Sequence, residues 1–144
     1  MFYINNNLIF TVPNIDCANI NTDNPLLKNQ FVIAIFGSTL CVAHVVAMYY
    51  EVYNYHAYHE GEVTDLDNLS YITFHVFLPI HHNIFSGLTI EKSKIFTHRH
   101  PDNIVYYLAN MDVVVTENSL SLKGFGKIIY NYFNCGEIKV AIVV

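Results

Sequence analysis

Charged residues, and basic residues above all, are scarce in this chain. Only 13% of its 144 residues are charged, against roughly 25% in an ordinary soluble domain. Seven Lys and Arg against twelve Asp and Glu leave a formal net charge of −5. Because a nucleic-acid-binding surface needs clustered basic side chains to neutralise phosphates, we expect no nucleic-acid partner.

Cysteine is also scarce. Cys17, Cys41 and Cys135 are an odd number, and no two of them form a CxxC pair. This argues against a disulfide framework and against a structural zinc knuckle. The N-terminus lacks the basic segment of a signal peptide. The sequence therefore predicts buried free thiols in a reducing, cytoplasmic compartment.

Short catalytic signatures are absent as well. The sequence contains no GxSxG nucleophile elbow, no GxGxxG and no glycine-rich loop of the kind that cradles phosphate. Whether the chain is an enzyme is left open by these absences.

Apolar and aromatic residues are abundant instead. Hydrophobic residues make up 53% of the chain, with eleven Tyr, ten Phe and no Trp. This much apolar surface offsets chain entropy and excludes intrinsic disorder. At 144 residues the chain has the size of one domain. We assign residues 1–30 to a first strand and an Asn-rich loop, and residues 31–144 to a single β domain.

Short runs with strand character, separated by turn residues, continue along the chain. Strands are expected at 8–12, 31–36, 49–59, 71–78, 88–95, 104–108, 112–116, 127–133 and 137–144. A tight hairpin is expected at 109–111, and residues 97–102 are expected at the start of a strand. Eight to ten short strands predict an all-β fold, a jelly-roll barrel or a β-sandwich, with at most one short helix.

One segment has the length of a membrane span. The segment 31–50 is twenty residues long and carries no formal charge. That length is enough to cross a bilayer as a helix. Gly37 and Ser38 divide the segment into two pieces of strand length, and His44 lies near its centre. Buried β-structure or a short core helix is therefore favoured over a spanning helix, which we keep as an alternative.

Histidine is the compositional feature with the most chemical content. The chain has eight His, six of them in close pairs: His56 with His59, His81 with His82, and His98 with His100. Residues two apart on a strand point to one face, so His98 and His100 could bind one metal ion together. His56 and His59 are expected on opposite faces of their strand, and the pair at 81–82 in a surface loop.

Residues 96–108, FTHRHPDNIVYYL, resemble the first conserved stretch of small cupin proteins, in which a strand leads into H-x-H-P. Residues 130–140, YNYFNCGEIKV, are similar to the end of the second cupin stretch. The resemblance covers about residues 88–144. It implies a jelly-roll, cupin-like barrel with a site in the barrel mouth.

The resemblance also implies a ligand set for a divalent ion such as Zn, Mn, Fe or Ni. His98 and His100 stand at two ligand positions, and Tyr130 stands where the family has a third His. The family's Glu falls at Ile104 or Val105, neither of which can bind a metal. The implied function is a cupin-like protein that binds a metal or small molecule through a weak or degenerate site.

A second hypothesis comes from composition alone. Low charge and abundant Tyr and Phe suit surfaces that neighbouring subunits cover. The chain would then be a structural β-sandwich subunit of a larger assembly, such as a viral coat or tail protein. The partners expected from the two hypotheses are copies of the chain or assembly neighbours, or a small-molecule ligand.

Overall fold

The computed structural model describes residues 2–4, 8–10 and 18–134, and within them the chain is mostly antiparallel β-structure. The strands are β1 (Phe2–Ile4), β2 (Leu8–Phe10), β3 (Phe31–Phe36), β4 (Thr39–Val52), β5 (Tyr55–Tyr58), β6 (Tyr71–His81), β7 (Ile84–Gly87), β8 (Thr89–Ile90), β9 (Ser93–Lys94), β10 (Phe96–Arg99), β11 (Ile104–Tyr107), β12 (Val113–Thr116) and β13 (Ser119–Leu122). One α-helix, α1, covers Gly124–Phe133. Short 3₁₀ turns in the described residues lie at Leu66–Asn68, Pro101–Asn103 and Asn110–Asp112.

Nine of these strands form one antiparallel sheet that curls into a half-barrel. Its order is β11-β3-β4-β6-β7-β13-β12, with β5 paired to the end of β4 and β10 paired to the start of β6. The long strands β4 and β6 pair along most of their length and form the spine of the sheet. The pairs β1–β2 and β8–β9 are separate two-stranded sheets.

The two faces of the sheet bury different side chains. One face packs residues such as Val45, Ile72 and Phe74 against the segments that precede β3 and β6. The opposite face packs Phe77 and Phe85 beneath α1. Because the side chains of a strand alternate between faces, the near-continuous apolar runs of β3, β4 and β6 supply both cores at once.

The all-β fold with a single short helix is confirmed over the described residues. The segment 31–50 is strand β3 and most of strand β4, joined at Gly37, whose φ of +64° suits a residue without a Cβ. Over the described residues, no helix is long and apolar enough to cross a membrane. A spanning helix at 31–50 is therefore wrong, because the apolar side chains of this segment pack into the cores on the two faces of the sheet.

The strand predicted at 49–59 is in fact two strands. Val52 ends β4, Tyr53 and Asn54 form a two-residue turn, and the chain returns as β5. The alternation of aromatic residues continues through the turn, so periodicity alone could not reveal it. His56 and His59 do lie on opposite faces, as expected: His56 contacts Tyr71 and His59 contacts Tyr50.

The strand predicted at 127–133 is wrong, because these residues belong to α1. Gly126, Ile129, Tyr130 and Phe133 are buried at the i, i+3, i+4, i+7 spacing of a helix face. A Cβ on Gly126 would lie 2.9 Å from Leu108 Cδ2, so the glycine permits close packing of the helix start. Aromatic and β-branched residues favour strands intrinsically, but burial against the sheet outweighs that preference.

Two further predictions are also wrong: the hairpin at 109–111 and the strand start at 97–102. The strands at 104–107 and 113–116 exist but do not form a hairpin, since β11 pairs with β3 and β12 pairs with β13. The 3₁₀ turn Asn110–Asp112 redirects the chain between them. Residues 97–99 end strand β10 instead of starting one, and His100 caps the following 3₁₀ turn.

The strand predicted at 71–78 continues past Pro79, and β6 ends at His81. The register with β7 shifts between Pro79 and His81, which accommodates a residue that cannot donate a ladder hydrogen bond. Of the strand predicted at 8–12, residues 8–10 form β2. The rest of that strand and the one predicted at 137–144 lie outside the described residues.

Candidate functional site: an exposed tyrosine hairpin

Eight non-glycine residues in the described part of the chain have a positive φ, and Tyr53 is the aromatic one among them. This residue has φ of +53°, in the left-handed region that Gly and Asn occupy with little strain and bulky residues rarely adopt. Its side chain is 89% exposed. Neither the positive φ nor the exposure to solvent favours a tyrosine at this position.

Four exposed tyrosines occupy the hairpin formed by residues 49–58, which we call the tyrosine hairpin. Their side chains, in order of exposure, are Tyr53, Tyr55 (59%), Tyr58 and Tyr50. The strand register directs Tyr58 to one face of the sheet and both Tyr50 and Tyr55 to the other. The hairpin thus presents aromatic surface at its tip and on both sides.

A ring cluster anchors one face of the tyrosine hairpin to the sheet. Tyr71 of β6 stacks on Tyr49 with ring centroids 4.5 Å apart. The same ring meets His56 edge-on at 4.9 Å and His98 edge-on at 5.2 Å. Since aromatic pairs at these separations stabilise one another beyond their burial, the hairpin is held in a defined position.

Hydrogen bonds fix the imidazole of His56. The Ser70 hydroxyl donates to the Tyr49 carbonyl at 3.2 Å and lies 2.8 Å from His56 Nδ1. Because the hydroxyl gives its one proton to the Tyr49 carbonyl, the Ser70 oxygen is the acceptor towards His56 Nδ1. Ser70 therefore helps to position the imidazole of His56.

The tyrosine hairpin lies in an acidic part of the chain. There is no Lys or Arg between residues 29 and 91, whereas Glu51, Glu60 and Glu62 stand on the hairpin or just after it. All three are exposed. In the described part of the chain, none of them lies within salt-bridge distance of a basic group. Lys28 contacts the ring and hydroxyl of Tyr58, so the surface is aromatic and carries more acidic than basic side chains.

The three predicted metal ligands have separate surroundings. His98 Nδ1 lies 2.7 Å from Thr73 Oγ1, while His100 Nδ1 accepts from the Asp102 amide at 3.2 Å. Tyr130 is buried on α1, where its hydroxyl donates to the Leu40 carbonyl at 2.9 Å.

The chemistry of Tyr130 matters for its predicted role as a ligand. Burial, reinforced by the nearby Cys41, raises the pKa of Tyr130 to about 12, so a phenolate does not form near neutral pH. Across residues 2–4, 8–10 and 18–134, no group of three or more His, Cys, Asp or Glu could hold a metal ion. The cupin resemblance and its metal site stay a prediction.

The structure brings together a further histidine pair that is not adjacent in sequence. His44 and His75 face each other across β4 and β6. His75 is 1% exposed, and its Nε2 donates to the Leu88 carbonyl at 3.1 Å. Among the described residues, its buried Nδ1 has no hydrogen-bond partner. Burial lowers the pKa of both imidazoles. They are 31 residues apart in sequence, so only the pairing of the two strands reveals them.

A groove beside α1 offers space for a small molecule. It has a volume of ≈ 520 Å³ and its lining includes His81, His82, Asn83 and Asn131. His81 and His82 are exposed there, His82 in the turn after β6. No ligand contact identifies an occupant, so a small-molecule ligand stays a prediction.

Cys41 is a structural thiol. It is fully buried, and burial raises its pKa to about 12. A thiol with such a pKa is protonated at neutral pH and is therefore a poor nucleophile. The free buried thiol predicted for Cys41 is confirmed, while Cys17 and Cys135 lie outside the described residues.

Comparison with known proteins places no relative beside this chain. No family model, no curated protein and no solved structure matches it. The function proposed below therefore depends on the residues and geometry of the chain itself.

Proposed function

We propose that this chain is a structural or interaction module that binds a neighbouring protein of a larger assembly through its tyrosine hairpin. The observation that carries the proposal is Tyr53, a bulky aromatic residue that is 89% exposed at a positive φ. A backbone in a sparsely populated conformation costs about 1–3 kcal/mol and is typical of functional sites. A partner that buries the ring offsets that cost.

The surroundings of Tyr53 support the same function. Tyrosine is enriched where partners meet, because it brings large contact area and a polar hydroxyl at low entropic cost. Tyr55 and Tyr58 extend the exposed aromatic surface, and the stack of Tyr49 on Tyr71 fixes its base. A preorganised contact surface loses less conformational entropy on binding than a mobile one.

Photo-crosslinking tests this function directly. A photoreactive phenylalanine analogue replaces Tyr53 in the full chain, expressed in the cells that make the protein. The control carries the analogue at Ile90, which is also apolar, 66% exposed and next to a hairpin turn. We expect protein adducts at position 53 and none at position 90. An absence of adducts at position 53, or equal adducts at both positions, would contradict the proposal.

A further inference from the structure

The outer surface of α1 complements the tyrosine hairpin in charge. Lys123 at the N-cap and Lys127 in the first turn are exposed, and α1 itself contains no Asp or Glu. In the described residues, no carboxylate lies within salt-bridge distance of either lysine. The outer surface of α1 therefore carries two basic side chains, whereas Glu51, Glu60 and Glu62 lie on or just after the tyrosine hairpin.

The same helix surface also exposes apolar side chains. Phe125 is 43% exposed and Ile128 is 51% exposed, and their i, i+3 spacing places them side by side. Phe125 lies between Lys123 and Lys127 in the sequence, and Ile128 follows Lys127 directly. This surface offers an apolar patch with a positive rim to a partner that is aromatic with a negative rim.

The two surfaces cannot meet within one molecule. Tyr130 of α1 bonds to Leu40 at the start of β4, whereas the tyrosine hairpin is built on the other end of the same strand. Leu40 and Tyr50 are separated by about 30 Å along an extended strand. A contact between the surfaces therefore requires two copies of the chain.

We infer that the tyrosine hairpin of one copy docks onto the outer surface of α1 of the next copy, so that the chain assembles head to tail. This inference rests on the proposed function and names the partner as a second copy. Two hairpins facing each other would bring Glu51, Glu60 and Glu62 together, and two helices would bring their lysines together. Repulsion in both arrangements disfavours a symmetric dimer, and a head-to-tail contact generates rings or filaments.

Two variants that each disable one surface test the inference. The hairpin variant is Tyr53→Gly/Tyr55→Ser, and the helix variant is Lys123→Glu/Lys127→Glu. Glycine suits the φ of +53° at position 53, and acidic side chains near a helix N-terminus are favourable. Both variants are therefore expected to fold, which circular dichroism and thermal melting confirm before association is measured.

Light scattering on a size-exclusion column then reports the mass of each protein. We expect wild type to exceed the 16.5 kDa of one chain increasingly with concentration, and to do so less at high salt. Each variant alone should associate at least roughly tenfold more weakly. An equimolar mixture should form a dimer that grows no further, because each variant supplies the surface that the other lacks.

Four outcomes would overturn the inference, and they bear differently on the proposed function. A hairpin variant that assembles like wild type, or a mixture that stays monomeric, overturns head-to-tail docking. A wild-type monomer up to its solubility limit, with adducts at position 53 to a different protein, overturns self-docking but keeps the proposed function. A monomer without such adducts overturns both.

Discussion

The two ends of strand β4 use tyrosine in opposite ways. Near Leu40, Tyr130 is 5% exposed, donates its hydroxyl to a carbonyl and meets Phe85 edge-on at 4.9 Å. Beyond Val52, Tyr53 is almost fully exposed on a strained backbone. At the first end, the tyrosine ring is buried in a hydrophobic core. At the second end, the ring of Tyr53 is not, which is why we propose that a partner covers it.

Removing an aromatic ring from each end gives the largest contrast. Phe85→Ala at the α1 end should lower the free energy of unfolding by about 3–5 kcal/mol, because it opens a cavity in a fully buried position. Tyr55→Ala on the tyrosine hairpin should change it by less than about 1 kcal/mol. Urea denaturation measures both values. Equal losses would mean that the hairpin ring belongs to the folding core.

Removing a hydroxyl from each end gives a smaller contrast. Tyr130→Phe leaves the buried Leu40 carbonyl without its donor, so we expect a loss of about 1–2 kcal/mol in the free energy of unfolding. Tyr58→Phe removes an exposed bond from Lys28 Nζ at 3.2 Å and should cost almost nothing. Chemical denaturation of the two variants beside wild type makes the comparison; a neutral Tyr130→Phe would contradict it.

Relieving the backbone at the hairpin tip should stabilise the fold slightly. Tyr53→Gly removes the strain of a positive φ, and we expect stability to be unchanged or raised by up to about 1 kcal/mol. The matched change Tyr55→Gly, within β5, should destabilise by roughly 0.5–1 kcal/mol. Thermal melting separates the two. A clear loss of stability in Tyr53→Gly would show that the ring at the tip supports the fold.

The smallest effect that we expect is a pH dependence between the two ends. Burial lowers the pKa of His44 and His75 from their usual 6.5, and the positive charge of Lys94 acts in the same direction on both. A backbone contact opposes the shift in each case, from Asn29 at His44 and from Leu88 at His75.

The sign of this pH dependence follows from proton binding. Below about pH 6.5 the folded chain binds fewer protons at these imidazoles than the unfolded chain, so the free energy of unfolding falls as the pH falls. The loss levels off below the folded-state pKa values. His44→Gln should flatten the slope of melting temperature against pH in this window, whereas Tyr58→Phe should not. A slope unchanged by His44→Gln would contradict the prediction.

Much of the fold could be predicted from local patterns. Strand β3 was predicted with its observed limits because a short apolar run between turn residues has few other solutions. Helix α1 was missed, although its i, i+3, i+4, i+7 spacing was present in residues 126–133. The aromatic residues of this segment favour a strand, and that preference outweighs the helical spacing in a prediction from the sequence. The pairing of β11 with β3 depends on long-range packing, which no local pattern contains.

The candidate site was less accessible to sequence reasoning. The tyrosines at 49–58 were visible, but their alternation conceals the turn at Tyr53 and Asn54. Asn54, a residue typical of turns, was the one local signal for the hairpin. Exposure of Tyr53 and Tyr55 depends on the sheet ending beside them, and contact between His56, His98 and Tyr71 depends on strand register.

Hydrogen exchange on the assembled protein tests the central claim most directly. The assembly is isolated from the cells that make it, and its backbone exchange is compared with that of the dispersed chain. We predict slower exchange across the tyrosine hairpin, residues 49–58, in the assembly, and unchanged exchange across the exposed β8–β9 hairpin. Equal exchange of residues 49–58 in the two states would contradict the assignment of this hairpin as the contact surface.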